Sequence, residues 1–310
     1  MRSTLLSTLA LTSLAVAAPL AKRNNDGGSG GGSSSGDGSS QDIDPVVLNF
    51  ALTLEHLEAA FYKQGLAKYS ADAFAGAEYP EWVRYRLSEI AAHEATHVTF
   101  LTSALEAAGQ KAAAACEYAF PDTDPASFIA VAQILEGVGV SAYAGAAKLI
   151  TSKDYLQAAA QILSVEARHS AWIRGGAQNG DSFPQAFDVA LEPNPVFTLA
   201  SQFITSCPED NPALPFKAFP ALTASALNNG QTTLSYEGGD FNGKFALFLT
   251  PLGQQSVAVN GDGSVTVPEG LYGQQYIILA SSDATLTDDI VVAGPAVLEV
   301  PLLATEYTNF

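Results

Sequence analysis

Two Glu-x-x-His motifs stand out in this chain of 310 residues, one formed by Glu94 and His97 and the other by Glu166 and His169. A spacing of three residues brings the carboxylate and the imidazole to the same face of an α-helix. A single motif of this kind is common by chance. Two of them, each near the middle of a long helical pattern, indicate a common site, and carboxylate with imidazole is a typical donor set for divalent metals.

Two other glutamates form a second repeated pattern, in which a tyrosine follows seven residues later. Glu55 precedes Tyr62, and Glu136 precedes Tyr143. Seven residues are about two helical turns, so each tyrosine lies on the helical face of its glutamate. The chain therefore repeats one unit: a helix with Glu and Tyr, followed by a helix with Glu-x-x-His.

The two units together supply four glutamates and two histidines, and this set predicts a dinuclear metal site. Four carboxylates neutralise two divalent cations, while two neutral imidazoles complete the coordination and leave positions open. The predicted cofactor is a pair of iron or manganese ions, because carboxylate-rich sites accept both. Tyr62 and Tyr143 are predicted to orient ligand carboxylates by hydrogen bonds. The predicted ligands are Glu55, Glu94, His97, Glu136, Glu166 and His169.

Polar residues near these positions leave alternatives open. Glu58 lies one turn after Glu55 and is an alternative to it, although the repeat favours Glu55. His93 lies one turn before His97 and is either solvent-facing or a hydrogen-bond partner of a ligand. His56 has no counterpart in the repeat. The alternative for the whole set is a helix bundle that keeps these polar residues without binding metal.

Four long helices must position these residues, and the sequence predicts them at 45–64, 81–108, 126–150 and 153–174. About two residues join the third helix to the fourth, so these helices are antiparallel neighbours. About 17 residues join the second to the third, enough to run the length of a bundle. This layout predicts a mainly α fold, a ferritin-like four-helix bundle with one long crossover. Trp82 and Trp172 are predicted to lie in its core.

The C-terminal part changes periodicity and predicts a small β-sandwich. Residues 176–228 are proline-rich and are predicted to wrap over the bundle, with a short helix at 196–206. Further on, apolar residues alternate or run together in short segments that Gly, Asn, Asp and Pro separate. The predicted strands are 232–237, 244–250, 255–260, 264–268, 274–280, 287–293 and 296–300. We therefore predict a bundle domain at 42–228 and a β-sandwich domain at 229–310.

The N-terminal segment predicts secretion. Residues 1–18 combine a basic residue, an apolar stretch and Ala-Val-Ala, which is the pattern of a signal peptide. Residues 19–41 are predicted to be a propeptide and a Gly/Ser-rich linker, with Lys22-Arg23 as the dibasic cleavage site. The expected location is extracellular, in association with the cell wall or free.

Two cysteines limit the kinds of site that the chain can build. Thiolate zinc sites and iron–sulfur clusters take about three or four sulfur ligands, so both are excluded. Cys116 and Cys207 are the only cysteines in the sequence. In an oxidising compartment they are predicted to form a disulfide.

The charge of the chain excludes polyanionic partners. The formal net charge is −18, and it becomes −21 without residues 1–23, which hold three of the 14 basic residues and none of the 32 acidic ones. A body this acidic repels phosphate groups. We therefore expect neither nucleic acid nor a membrane surface as a partner.

Five segments resemble the secreted ferritin-like domain proteins of fungi, a group associated with stress response and sexual development and similar to plant desiccation-related proteins. They are FALTLEHLEAAFY (50–62), EIAAHEATHVTFL (89–101), ILEGVGVSAY (134–143), SVEARHSAW (164–172) and FITSCP (203–208). The resemblance covers about residues 42–225 and leaves out the β-rich end. It implies a ferritin-like fold with a diiron or dimanganese site at the six ligand positions, and it implies no particular activity.

Two hypotheses for the function belong to different classes. The first is a dimetal redox enzyme with peroxide dismutation or ferroxidase chemistry. The second is a non-enzymatic secreted module, in which the β-sandwich binds cell-wall glycan or another protein. Aromatic residues available for stacking on sugars are Tyr236, Phe241, Tyr272 and Tyr276. A closed iron-storage cage is less favoured, because the linker and the β-domain would have to lie outside its shell.

Overall fold

The computed structural model describes residues 43–302. The predicted signal peptide at 1–18 and the predicted propeptide and linker at 19–41 lie outside the described residues. The last eight residues of the predicted β-sandwich domain, 303–310, also lie outside them. Within the described part, the bundle helices come first and most of the strands follow.

Four long helices carry the predicted ligands, and a short helix connects the first two of them. The helices are α1 (Asp44–Lys68), α2 (Ala71–Gly76), α3 (Glu81–Ala107), α4 (Pro125–Ala146) and α5 (Lys153–Trp172). Helix α1 runs one turn past its predicted end because Gly65 does not interrupt it. The Phe128 ring occupies the place of a side chain at residue 65, so only glycine fits there. Helix α4 ends earlier than predicted and passes into a 3-10 turn, Ala147–Leu149.

Helix α4 is the most apolar element of the bundle. The stretch Pro125–Leu149 is long and apolar enough to cross a membrane, yet 78% of its most apolar window is buried inside the protein. It also carries Glu136, whose side chain is fully buried. Burying a carboxylate is costly unless it is paired or binds a cation. The helix is therefore a core helix that carries one buried carboxylate.

Polar side chains fix where three of the bundle helices begin. Asp44 accepts hydrogen bonds from the backbone N–H groups of Thr151 and Ser152, which ties the start of α1 to the connection between α4 and α5. Asp124 and Ser127 form a capping box at the start of α4. Ser152 caps α5. These contacts set the relative height of three helices that carry ligands.

The long crossover between α3 and α4 follows the outside of α1. Near its start, the Asn49 side chain donates a hydrogen bond to the backbone oxygen of Lys111. Near its end, Lys68 of α1 pairs with Asp122 at 3.0 Å. The crossover therefore spans the length of α1, as the predicted layout requires.

A disulfide holds this crossover to the segment that follows the bundle. Helix α6 (Pro193–Ser201) leads into strand β2 (Ile204–Ser206), which pairs with strand β1 (Glu117–Tyr118) of the crossover. Directly beside this pair, Cys116 and Cys207 form the expected disulfide. In the chain-entropy model, a bridge that closes a loop of 91 residues stabilises the fold by roughly 4–5 kcal/mol.

The C-terminal region consists of two antiparallel sheets arranged as a small sandwich. One sheet has the order β3-β4-β7 and the other β6-β5-β8-β9. Strand β9 is one strand where the sequence predicts two, because pairing with β8 continues past Pro295 after a shift in register. The strands are β3 (Thr223–Ala224), β4 (Gln231–Ser235), β5 (Phe245–Thr250), β6 (Gly253–Ala258), β7 (Ser264–Thr266), β8 (Gly273–Ala280) and β9 (Val291–Val300).

The two central strands of the four-stranded sheet, β5 and β8, are buried on both faces. Phe248 and Ile277 pack into the sandwich. Leu247 and Ile278, which point the other way, pack against bundle residues that include Val138 of α4. Residues on successive positions of a strand face opposite sides, so the unbroken apolar runs of β5 and β8 reflect burial on both sides. The β-region therefore shares a core with the bundle.

Polar contacts reinforce this junction directly behind the middle of α4. The Tyr276 hydroxyl donates to the backbone oxygen of Gly137 at 2.9 Å. Arg174, which is 7% exposed, forms two hydrogen bonds with the carboxylate of Glu299 on β9. Gly137 is next to Glu136 in sequence, so the β-region supports the helix at the height of a predicted ligand.

Candidate metal centre

The six predicted ligands converge in the middle of the bundle. Helices α1 and α4 each contribute one glutamate, whereas α3 and α5 each contribute a Glu-x-x-His pair. The side chains of all four glutamates are 0% exposed, and those of the two histidines are buried. The residues are Glu55, Glu94, His97, Glu136, Glu166 and His169. Sequence spacing alone thus located side chains that come from four separate helices.

Within the described residues, these side chains form two overlapping groups whose ligand atoms lie within 4.8 Å of one another. One group contains Glu55 and His97, and the other contains Glu136 and His169. Glu94 and Glu166 belong to both groups. Each group has one glutamate and one histidine of its own, and the two shared carboxylates join the groups, so this arrangement is compatible with two cations.

The histidines direct the same ring atom toward the carboxylates. The Nδ1 atom of His97 lies 3.1 Å from Glu94 Oε2 and 3.2 Å from Glu55 Oε2. The Nδ1 atom of His169 lies 3.1 Å from Glu94 Oε1 and 3.1 Å from Glu136 Oε2. Glu94 therefore presents one oxygen to each histidine, as a bridging carboxylate between two cations does.

The two tyrosines hold the terminal glutamates, and they do so across the bundle. Tyr62 of α1 donates a hydrogen bond to Glu136 Oε1 of α4, and Tyr143 of α4 donates to Glu55 Oε1 of α1. Each tyrosine lies two turns from the glutamate of its own helix but bonds the glutamate of the other. The second oxygen of each terminal glutamate is left facing a histidine.

Carboxylate oxygens without donors show that this arrangement fits cations. Among the described residues, Glu94 Oε1 and both oxygens of Glu166 are buried without a hydrogen-bond donor. Two of these three oxygens lie 3.1 and 3.3 Å from a histidine Nδ1, without hydrogen-bonding geometry. Buried charges are costly unless they are paired or coordinate metals. A donor set of four carboxylates and two imidazoles suits iron or manganese.

The cluster raises the pKa values of five of its six predicted ligands and lowers only that of Glu94, to about 2, because the two neighbouring histidines outweigh its burial. Burial raises the pKa of Glu55 to about 7. Burial and the neighbouring carboxylates raise the pKa of Glu166 well above its usual range. Burial acts against protonation of the histidines, but the surrounding carboxylates raise the pKa of His97 to about 12 and that of His169 to about 9. Without cations the cluster therefore retains protons, which bound metal would displace.

His93 supports one of the two histidines. Its Nδ1 lies 2.9 Å from Nε2 of His169, and the two rings stack at an interplanar angle of 11°. Because Nε2 is the ring atom that faces away from the carboxylates, this contact fixes how the His169 ring is oriented. His56, in contrast, bonds the backbone oxygen of Ala113 and lies outside the cluster.

A groove between α3 and α5 leads from solvent to the histidines. It encloses about 330 Å³, and its lining includes His93, His97 and His169 together with Arg86 and Arg168. Trp82 corrects one prediction from the sequence: it lies in the first turn of α3, is 47% exposed and is not in the core. It meets Trp172 edge to face, and Trp172 is partly buried and packs against the bundle core, as predicted.

Glu58 is a buried carboxylate that the ligand prediction set aside. It is 5% exposed, and its Oε1 lies 3.1 Å from the place that a Cβ atom at Gly139 of α4 would take. Its pKa is well above the usual range because of burial and repulsion by Glu166 and other carboxylates. The sequence did indicate that Glu58 is near the cluster, because it lies one turn after Glu55 and two glutamates at this spacing share a helical face.

The comparison with known families agrees with this geometry. The family model of the ferritin-like domain matches residues 43–179. Residues 43–179 form a ferritin-like domain. The match contains α1 to α5 and all six converging side chains, and the β-region lies outside it.

One curated relative extends the similarity beyond the ferritin-like domain. Protein rds1 of Schizosaccharomyces pombe is 29% identical over 181 residues, which are 58% of this chain and 44% of that protein. The chain therefore matches less than half of the length of this relative. The similarity supports a ferritin-like protein of fungal type.

Proposed function

We propose that the ferritin-like domain holds two divalent ions of iron or manganese, and that the protein is a redox protein acting on peroxide or dioxygen. The observation that carries this proposal is the convergence of four buried glutamates and two buried histidines in two overlapping groups. The unpartnered oxygens of Glu94 and Glu166 point to the same conclusion.

Each side chain has a distinct part in this proposal. Glu94 and Glu166 would be shared by the two cations, whereas Glu55 with His97 and Glu136 with His169 would each hold one of them. The metal pair would supply the redox chemistry on peroxide or dioxygen. Tyr62 and Tyr143 hold one oxygen of each terminal glutamate in a hydrogen bond and so orient that carboxylate.

The groove at the histidines sets which reactants reach the centre from that side. Arg86, Arg168 and His93 place polar groups on walls that are otherwise mainly apolar, and its volume is about 330 Å³. Water, peroxide and hydrated cations fit such a passage. We propose it as the entry route for the small reactant.

The number of metal ions bound per chain tests this proposal. Full-length protein produced with added iron or manganese should hold about two ions per chain after gel filtration, as measured by elemental analysis. The Glu166→Gln variant should hold none, because it removes a carboxylate shared by both positions. Glu106→Gln, an exposed change on α3, is the matched control and should keep both ions. A wild-type content below about 0.3 ions per chain would overturn the proposal.

We also propose that the protein is secreted and has neither nucleic acid nor a membrane as a partner. The disulfide between Cys116 and Cys207 supports an oxidising compartment, and the acidic charge supports the absence of polyanionic partners. A form lacking residues 1–18 should be retained in the cell, whereas the full chain should appear in the medium. Glycan or protein binding by the β-region stays a prediction, and two of its four candidate aromatics, Phe241 and Tyr276, are buried.

A further inference from the structure

A second cavity, of about 260 Å³, is lined in part by Glu58 and Gly139 and by none of the histidines. We propose that it is a binding chamber for a small apolar molecule that carries one hydroxyl group, a compound of the simple phenol class, with the hydroxyl directed at Glu58. Its use as a substrate chamber rests on the proposed metal centre, whereas binding itself requires only the chamber.

The walls of the chamber come from both parts of the protein. Leu57 of α1, Val138 of α4 and Leu199 of α6 form the bundle side. Leu222 and Pro295 form the side that belongs to the β-region. The β-region thus completes a chamber that the four helices alone would leave open.

The size and polarity of the chamber select the ligand class. An apolar cavity of about 150 Å³ is large enough for benzene, so this larger space takes an aromatic ring with a short substituent. Aliphatic walls give no compensation for the lost hydration of a sugar or an ion. The outer end carries Gln202 and Thr223, which are exposed and mark the opening to solvent.

The inner end of the chamber is a single carboxyl group. The four glutamates of the metal cluster bond or pair with tyrosine or histidine side chains, but none of these contacts reaches Glu58. Glu58 lines the chamber instead and is 5% exposed. A hydroxyl group both donates and accepts, so it pairs with Glu58 whether that side chain is a carboxylate or a carboxylic acid.

Gly139 opens the chamber toward the metal cluster. A Cβ atom at this position would lie 2.8 Å from Glu166 Oε2 and 3.1 Å from Glu58 Oε1. Both carboxyl groups therefore occupy the space that any other residue would fill. A hydroxyl bound at Glu58 is consequently placed beside Glu166, a predicted bridging ligand.

Calorimetric titration of metal-free, full-length protein tests the chamber. We expect 4-ethylphenol to bind at least about tenfold more tightly than ethylbenzene, which has the same apolar body and no hydroxyl. Ala224→Leu, which fills the chamber from β3, should weaken binding of 4-ethylphenol at least about tenfold. Ala226→Leu, an exposed alanine near the same strand, should leave binding within about twofold.

Several outcomes would overturn the proposal that this chamber binds a simple phenol. They are no binding of 4-ethylphenol to wild-type protein, equal affinity for the two probes, or equal binding by wild-type protein and a folded Ala224→Leu variant. Circular dichroism confirms folding of each variant, and the comparison of probes on wild-type protein needs no variant. If 4-ethylphenol binds while elemental analysis finds no iron or manganese, the chamber stands and the redox function fails. If metals bind and the probe does not, only the chamber fails.

Discussion

The two halves of the bundle repeat one plan, and two of the positions at which they differ carry a polar side chain beside the ligands in the first half only. The first half is α1 with α3, and the second half is α4 with α5. Three residues after the terminal glutamate, the first half has Glu58 and the second has Gly139. Four residues before the histidine, the first half has His93 and the second has Val165. The repeated residues form the two proposed cation positions, and Glu58 and His93 lie beside them.

Both unique residues of the first half act on the second half. Glu58 Oε1 lies 3.1 Å from the place that a Cβ atom at Gly139 would take. His93 contacts His169 of the second half, although His97 is only one turn away on its own helix. The cation position formed by Glu136 and His169 is therefore supported more extensively than its counterpart. The comparison predicts two positions of similar ligand type and unequal affinity.

Loss of a terminal glutamate is the strongest test of this comparison. Glu55→Gln and Glu136→Gln are equivalent changes in the two halves, and each removes the only terminal carboxylate of one position. Each variant should retain about one ion per chain, because the shared glutamates and the other position stay complete. Elemental analysis after gel filtration measures the result. Loss of both ions from both variants would show that the two positions cannot be filled independently.

The convergence of these side chains was predictable because it follows from helical spacing. Glu94 with His97 and Glu166 with His169 lie three residues apart, and local geometry alone places such pairs on one face. The partner of each tyrosine was not predictable in the same way. Tyr62 bonds Glu136 across the bundle, and this contact depends on how two helices pack and not on the spacing within either.

The second test concerns the crossover that joins the two halves. Replacing both Cys116 and Cys207 with serine removes the disulfide that holds the crossover to β2. We expect the free energy of unfolding to fall by about 2–5 kcal/mol, because the unfolded chain gains entropy when the loop is opened. Urea unfolding measures the change.

The same double variant also checks that the disulfide is separate from the metal cluster. Its metal content should stay at about two ions per chain at low temperature, because neither cysteine contacts a ligand. A decrease in stability below about 1 kcal/mol, or loss of one ion, would contradict this separation. The single variant Cys207→Ser exposes a free thiol and is a poorer choice.

The β-region shows where sequence reasoning reaches its limit. The strands around Leu247 and Ile278 were predicted from their apolar character, and the sandwich-like pair of sheets agrees with that prediction. Their unbroken apolar runs also indicated a second buried face, which packs against the bundle in the structure. The pattern did not identify the surface that covers this second face, because an apolar run indicates only that both faces of the strand are buried. The chamber beside Glu58 was for this reason not predictable.

The third test compares the two tyrosines. Tyr62→Phe and Tyr143→Phe each remove one hydroxyl that orients a terminal glutamate. We expect each variant to bind one of its two ions about 10–100-fold more weakly, since loss of a hydrogen bond to a ligand has effects of this size. Titration with manganese, followed by electron paramagnetic resonance, resolves the two binding steps. Unchanged affinity in both variants would show that the hydroxyls do not orient the ligands.

The smallest expected effect tests the asymmetry itself. His93→Val gives the first half the residue that the second half has at Val165, and it removes the hydrogen-bond partner of His169 Nε2. We expect about tenfold weaker binding at the position of His169 and an unchanged affinity at the position of His97. His56→Val is the control, because His56 is also a partly buried histidine of the bundle but bonds the Ala113 backbone outside the cluster. Equal weakening of both manganese-binding steps would instead indicate that His93 acts on the groove as a whole, and the inequality between the two halves would have to arise from Glu58 alone.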